Sequence, residues 1–134
     1  MNPDLSWVLN DLLEVRGARH AILVSADGLL TQRSDGIERG SAERNAAAMS
    51  SIQSLCRAVG DFVGGGRQGI WKQTLIEYED GWINLCAAGS GSYLAVSAAG
   101  DVDMGTLSFR MQKTVSALSE AMSTAPRHIA GSEA

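Results

Sequence analysis

The sequence has few of the residues from which chemical sites are most often built. Its 134 residues include two cysteines, two histidines, two prolines and 5% aromatics. Cys56 and Cys86 each lie inside an apolar run, which points to buried reduced thiols rather than a disulfide. His20 opens a strand-like run and His128 lies near the end. Neither has cysteine or acidic neighbours at ligand spacing, so no metal site is expected. Lys and Arg number 11 against 15 acids, a net charge of −4, and the arginines are scattered. A phosphate-binding surface needs clustered cations, so nucleic acid is not an expected partner. No apolar stretch approaches the ~20 residues that span a bilayer. The opening MNPDLSWVLNDLL has no basic n-region, so neither a leader nor a membrane anchor is expected, and a cytoplasmic location follows.

Signs of catalysis are equally sparse. Gly89-Ser90-Gly91-Ser92-Tyr93 fails the Gly-x-Ser-x-Gly pattern and joins strand to strand rather than strand to helix. Gly64-Gly65-Gly66-Arg67-Gln68-Gly69 matches G-x-G-x-x-G literally. It follows a helix and precedes a strand, however, so it meets phosphate with the negative end of a helix dipole. It reads as a helix stop and loop. Without a Gly-Lys-Ser/Thr the chain is not itself a P-loop NTPase, and without a nucleophile–base pair it is not expected to be an enzyme or to hold a cofactor.

What the sequence does contain is a dense β region. Gly69 to Ala98 holds three runs rich in Ile, Trp, Leu, Val and Tyr, cut by Glu79-Asp80-Gly81 and by Gly89-Ser90-Gly91-Ser92. Asp-Gly between such runs predicts a hairpin, with the glycine at positive φ, and the Gly/Ser cluster predicts a second turn. A three-stranded antiparallel meander results. Its first strand, Gly69 to Tyr78, carries Lys72, Gln73 and Thr74 at its centre, which suits an edge. Ile70 and Trp71 beside them are too large and apolar for an edge meant to stay in water. A proline at Thr74 is accordingly expected to block pairing across that edge.

Around the meander the helices declare themselves by period. Asn2-Pro3 starts a helix whose stripe is Leu5, Val8, Leu9, Leu12 and Leu13, closed by Gly17. Trp7 falls off that stripe and reads as the edge of the core, with a contact residue as the alternative. Ala18 to Ser25 and Leu29 to Arg33 form a hairpin through Ala26-Asp27-Gly28. The unbroken run Ala21-Ile22-Leu23-Val24 predicts a strand covered on both faces. Ser41 starts a helix to about Phe62, with Met49, Ile52, Leu55, Cys56, Val59 and Phe62 as its core stripe. Its opposite side carries a line of small residues, Ala47, Ser51, Ser54 and Ala58, that would let a second helix approach closely. Ordinary exposed helix is the plainer reading of that line. Asp101 or Asp103 caps a last helix with Met104, Leu107, Met111, Val115, Leu118 and Met122 as its stripe. One domain over 1–124 with a disordered tail at 125–134 is the expectation.

This order, together with Val15-Arg16-Gly17, Val24-Ser25-Ala26-Asp27-Gly28-Leu29 and the Glu79-Asp80-Gly81 turn, resembles the roadblock / dynein light chain family over about Asp4 to Met122. The small-residue helix and Gly-rich loop look like bacterial members from actinobacterial operons, which pair a sensor-kinase-like protein, a roadblock protein, a further small protein and a Ras-like GTPase. The resemblance implies an α/β (α+β) three-layer sandwich of order α-β-β-α-β-β-β-α. Five antiparallel strands would carry the long second helix on one face and the terminal helices on the other. It further implies a homodimer in which third strands pair and second helices pack, placing Ala47, Ser51, Ser54, Ala58, Ile70, Trp71, Lys72 and Thr74 at the interface. The implied function is a non-catalytic module that binds and regulates a small Ras-like GTPase. A scaffold linking a sensor-kinase-like protein to other components is the alternative, and a small-molecule sensor domain a further one. The GTPase-facing surface is not readable from the sequence.

Overall fold

The computed structural model describes the backbone of residues 4–133 and the side chains of residues 4–121. Helix α1 (Ser6–Leu12) is followed by β1 (Ala18–Val24), β2 (Leu30–Arg33) and α2 (Arg39–Ala58). A 3-10 turn (Gly60–Val63) then leads to β3 (Gln73–Tyr78), β4 (Gly81–Ala87), β5 (Tyr93–Ala99) and α3 (Met104–Glu133). The order is the one the sequence predicts. The helix start expected at Asn2-Pro3 lies outside the described residues, and α1 begins at Ser6, whose N–H is taken by the Asp4 carboxylate at 3.0 Å. The tail expected at 125–134 lies outside the residues whose side chains are described.

All five strands join one antiparallel sheet in the order β2-β1-β5-β4-β3, so β2 and β3 are its edges. Both faces are covered, as the apolar run in β1 requires. Ala21 and Leu23 enter a core with Leu9 and Leu12 of α1, Leu94 of β5, and Leu107 and Met111 of α3. Ile22 and Val24 point the other way, against Ala42, Ala46 and Met49 of α2. The sheet is thus a layer between α2 and the two terminal helices. Asn84 and Thr114 are buried polar residues of the α3 layer; the Asn84 amide donates to the Ser108 hydroxyl at 3.0 Å and the Thr114 hydroxyl to the Arg110 carbonyl at 3.0 Å. The start of α3 is settled by Asp103, whose carboxylate accepts the Thr106 N–H at 3.1 Å.

The β3–β4 turn differs from expectation in its mechanism. Tyr78 pairs with Gly81, so the loop is Glu79–Asp80, and neither residue nor Gly81 has a positive φ. Gly81 is needed for space instead, because a Cβ there would lie 2.6 Å from the Ala98 carbonyl oxygen. The β4–β5 turn does use the left-handed region, at Gly89, Ser90 and Gly91.

Cys86 is wholly buried between β4 and the α1/α3 layer, and that burial pushes its thiol up to about 11. Between pH 9 and 11 the unfolded thiol loses its proton while the native one keeps it. Stability is therefore unaffected by this group below pH 9 and falls through that window, by about 1.4 kcal/mol per unit. The denaturation midpoint of Cys86→Ala should show a correspondingly weaker decline than wild type from pH 9 to 11. An equal decline in both proteins would assign the alkaline loss to other groups.

Candidate interaction surface

Helix α2 is rotated from the phase that its large apolar residues suggest. Its buried stripe is Ala42, Ala46, Met49 and Gln53, with Ile52 and Cys56 half-buried beside it. Leu55 is 68% and Val59 60% exposed, and Phe62 in the following 3-10 turn is 92% exposed. Three residues read as core from sequence are therefore on the surface. The helix also ends four residues early, at Ala58, and the break into the 3-10 turn throws Phe62 and Val63 outward. Gly60 permits the break: a Cβ there would lie 2.9 Å from the Gly69 backbone carbonyl oxygen, and the Gln68 side chain beside it donates to the Arg57 carbonyl at 2.7 Å.

Ala47, Ser51, Ser54 and Ala58 are all exposed in the single chain. At helical spacing Ser51 is four residues before Leu55, and Leu55 three before Ala58, so Leu55 shares the face of the small-residue line, with Val59, Phe62 and Val63 exposed just beyond the end of the helix. Its upper part is small and flat, and its lower part is bulky. Contiguous exposed apolar area of this kind is uncommon on a chain that stays alone in water.

Beside this face lies the free edge of β3. The Ala87 N–H donates to the Lys72 carbonyl at 3.1 Å, so Lys72–Ala87 is a hydrogen-bonded pair. Bonded and non-bonded pairs alternate along an antiparallel ladder. Thr74 and Ile76, opposite Leu85 and Ile83, therefore turn their backbone groups inward to β4. Gln73, Leu75 and Glu77 turn theirs to the open side. A proline at Thr74 would thus break the β3–β4 ladder rather than the outer edge, which corrects the sequence-based choice of residue.

The residues expected at this edge divide into two groups. Ile70 and Lys72 precede the strand, and both are exposed, Ile70 by 88%. Trp71 and Thr74 are half-buried and engaged within the chain. The Trp71 indole N–H donates to the Thr74 hydroxyl at 2.8 Å, and the Cys56 sulfur lies 3.1 Å from the same oxygen. The Trp71 ring meets Tyr93 edge to face, centroids 6.2 Å apart, and carries the Arg57 guanidinium 5.3 Å above it. Arg57 is in turn held by the Gln53 side-chain oxygen at 2.6 Å. This cluster ties the segment before β3 to the end of α2 and so fixes the exposed edge against the exposed helix face. Trp7 is 65% exposed on α1, on the other side of the sheet, and does not cover the core.

Comparison with known proteins decides the family. The Roadblock/LC7 domain model matches residues 5–98. The chain belongs to the Roadblock/LC7 family. A Roadblock/LC7 domain from Streptomyces avermitilis is 31% identical, with a TM-score of 0.81 over 89% of this chain and 98% of that one. Myxococcus xanthus MglB shares the fold at 15% identity, with a TM-score of 0.78 over 89% of this chain and 94% of that one. An MglB structure with a tetrameric arrangement is 18% identical, with a TM-score of 0.76 over 89% and 88% of the two chains. No curated protein matches. Among the described residues of this Roadblock/LC7 chain, no group of three or more His, Cys, Asp or Glu could hold a metal ion, and no helix is long and apolar enough to cross a membrane. Sequence reasoning missed Leu55, Val59 and Phe62 as surface residues. The Gly64-Gly65-Gly66 run just after them is the available signal, since large residues close to a helix-ending glycine run have little helix left to pack with.

Proposed function

We propose that this Roadblock/LC7 chain is a homodimeric, non-catalytic module that binds a small Ras-like GTPase and tunes its nucleotide cycle or location within a signalling complex. The observation that carries the reading is the exposed face of Ala47, Ser51, Ser54, Leu55 and Ala58 with the exposed Val59, Phe62 and Val63 just beyond it, set beside the open edge of Gln73, Leu75 and Glu77. Helix packing and strand pairing by one partner would cover both. Burial of each large side chain there contributes roughly 1.5–3 kcal/mol. A two-fold pair presents each of them twice. The gross gain is of the size that offsets the about 4–15 kcal/mol lost on association. The GTPase assignment rests on family membership, because regulating or scaffolding small GTPases is the family's common role.

The test is affinity capture from the source organism's lysate, in parallel with GDP and with a non-hydrolysable GTP analogue. A small GTPase recovered preferentially with one nucleotide supports a regulator or effector and identifies the state it reads. Partners recovered equally in both arms, or no GTPase at all, would replace this reading by that of a scaffold joining a sensor-kinase-like protein to other components.

A further inference from the structure

Under the N-terminal half of α2 lies a cleft of about 450 Å³, within the size range of small-molecule sites. Its floor is Ile22, Ile83 and Ala95 from the sheet, and Ile37 and Met49 help to close it. His20 and Ser97, paired in register across β1 and β5, also line it. The His20 Nδ1 and the Ser97 Oγ are both buried, and neither has a hydrogen-bond partner within the chain. Such groups are rare in native folds, because burying a polar atom without a partner is costly. Packing alone gives no reason for the hydroxyl, since Ala95, Ala98 and Ala99 serve as neighbours in the same strand.

We propose that this cleft binds a small uncharged molecule with an apolar body and a single amide, carbonyl or hydroxyl head that bonds to His20 Nδ1 and Ser97 Oγ. The lining sets the class. Among the described residues no Lys or Arg lines the cleft, and Glu38 does, so carboxylates and phosphates are repelled rather than neutralised. Ser41 and Asn45 also line the cleft, but Asn45 is exposed and its amide donates to the Ser41 carbonyl at 2.8 Å. The remaining Ile, Met and Ala walls offer nothing to a second polar group, whose burial there would go uncompensated.

The experiment titrates naphthalene-2-carboxamide, and separately its charged counterpart 2-naphthoate, into the isotope-labelled full chain, followed by amide resonances. The carboxamide should shift Ile22, Met49, Ile83 and Ser97 and bind at least about tenfold more tightly than the carboxylate, because only the acid carries a charge into an apolar site. Ser97→Ala should weaken the carboxamide about tenfold, the worth of one hydrogen bond, while holding or raising the unfolding temperature, because it deletes an unpaired hydroxyl. A hydroxyl with a purely structural role would give the reverse, a lower unfolding temperature with probe binding unmoved. That outcome overturns the proposal. So does the absence of shifts at the cleft, equal binding of both probes, or cleft resonances that follow protein concentration instead of probe, which would mean that a second copy fills the space.

Discussion

In the homodimer proposed above, Leu75→Pro is expected to leave the chain folded and to raise the dimer dissociation constant by at least about 100-fold, equivalent to about 2.8 kcal/mol. Proline is tolerated in a sheet only where its missing N–H would have faced away from a neighbour. The alternation fixed by the Lys72–Ala87 bond places the Leu75 N–H on the open side of β3, so the ladder to β4 keeps all its donors. Across a two-fold axis the substitution enters the pairing twice, once from each copy, and the ring also obstructs the approaching strand. Thr74→Pro is the matched contrast. There the lost N–H belongs to the β3–β4 ladder opposite Leu85, and the Trp71–Thr74 bond sits at the same residue, so that variant should lose structure at the edge itself. Sedimentation equilibrium gives the mass, and far-ultraviolet circular dichroism gives the fold. A folded Leu75→Pro protein with undiminished dimer mass would remove strand pairing from the assembly and leave the helix face alone to explain it.

How far the fold could be read from sequence depends on which physical signal each element carries. Ala21-Ile22-Leu23-Val24 is apolar at every position, a pattern that only a strand covered on both faces explains, and the structure covers it on both faces. The order of elements follows from such periods and from the turns between them. Phase and register are less legible. In α2 the large residues Leu55, Val59 and Phe62 face outward while Ala42, Ala46 and Gln53 face in, because α2 lies close on the sheet and a surface suited to a partner is as apolar as a core. Hydrophobicity alone cannot separate the two. The β3–β4 hairpin was located correctly through Asp80-Gly81, yet Gly81 is there for its missing Cβ, a tertiary constraint set by Ala98 that no local pattern encodes. The pair His20 and Ser97 is separated by 77 positions in sequence and becomes a pair only through the β1–β5 register. Of the residues that the resemblance puts at the third-strand edge, Thr74 lies in an edge strand and Ile70, Trp71 and Lys72 just before it, and Trp71 and Thr74 spend their polar groups on each other. Only the outward parity of Gln73, Leu75 and Glu77, visible once the ladder is known, identifies the free groups.

Phe62→Asp is the second large effect. At 92% exposure the ring contributes almost nothing to the isolated fold, so the unfolding midpoint should move by no more than about 0.5 kcal/mol, the usual range for surface substitutions. Self-association should fall far more. A buried aromatic anchor is worth about 2 kcal/mol or more on truncation. A carboxylate adds the cost of taking a charge out of water among large apolar side chains. Trp7→Ala removes an exposed aromatic of greater size from α1, beyond the opposite face of the sheet, and should change neither stability nor mass appreciably. Three results separate the possibilities. Monomeric mass with an unchanged midpoint assigns the face to self-association, and its combination with Leu75→Pro should then be less than additive, because either change alone already opens the single interface. Undiminished dimer mass together with lost nucleotide-dependent capture assigns the face to the GTPase instead. Loss of neither would mean that four large apolar side chains stand in water for a reason unconnected with assembly, and the proposed function would lose the observation that carries it.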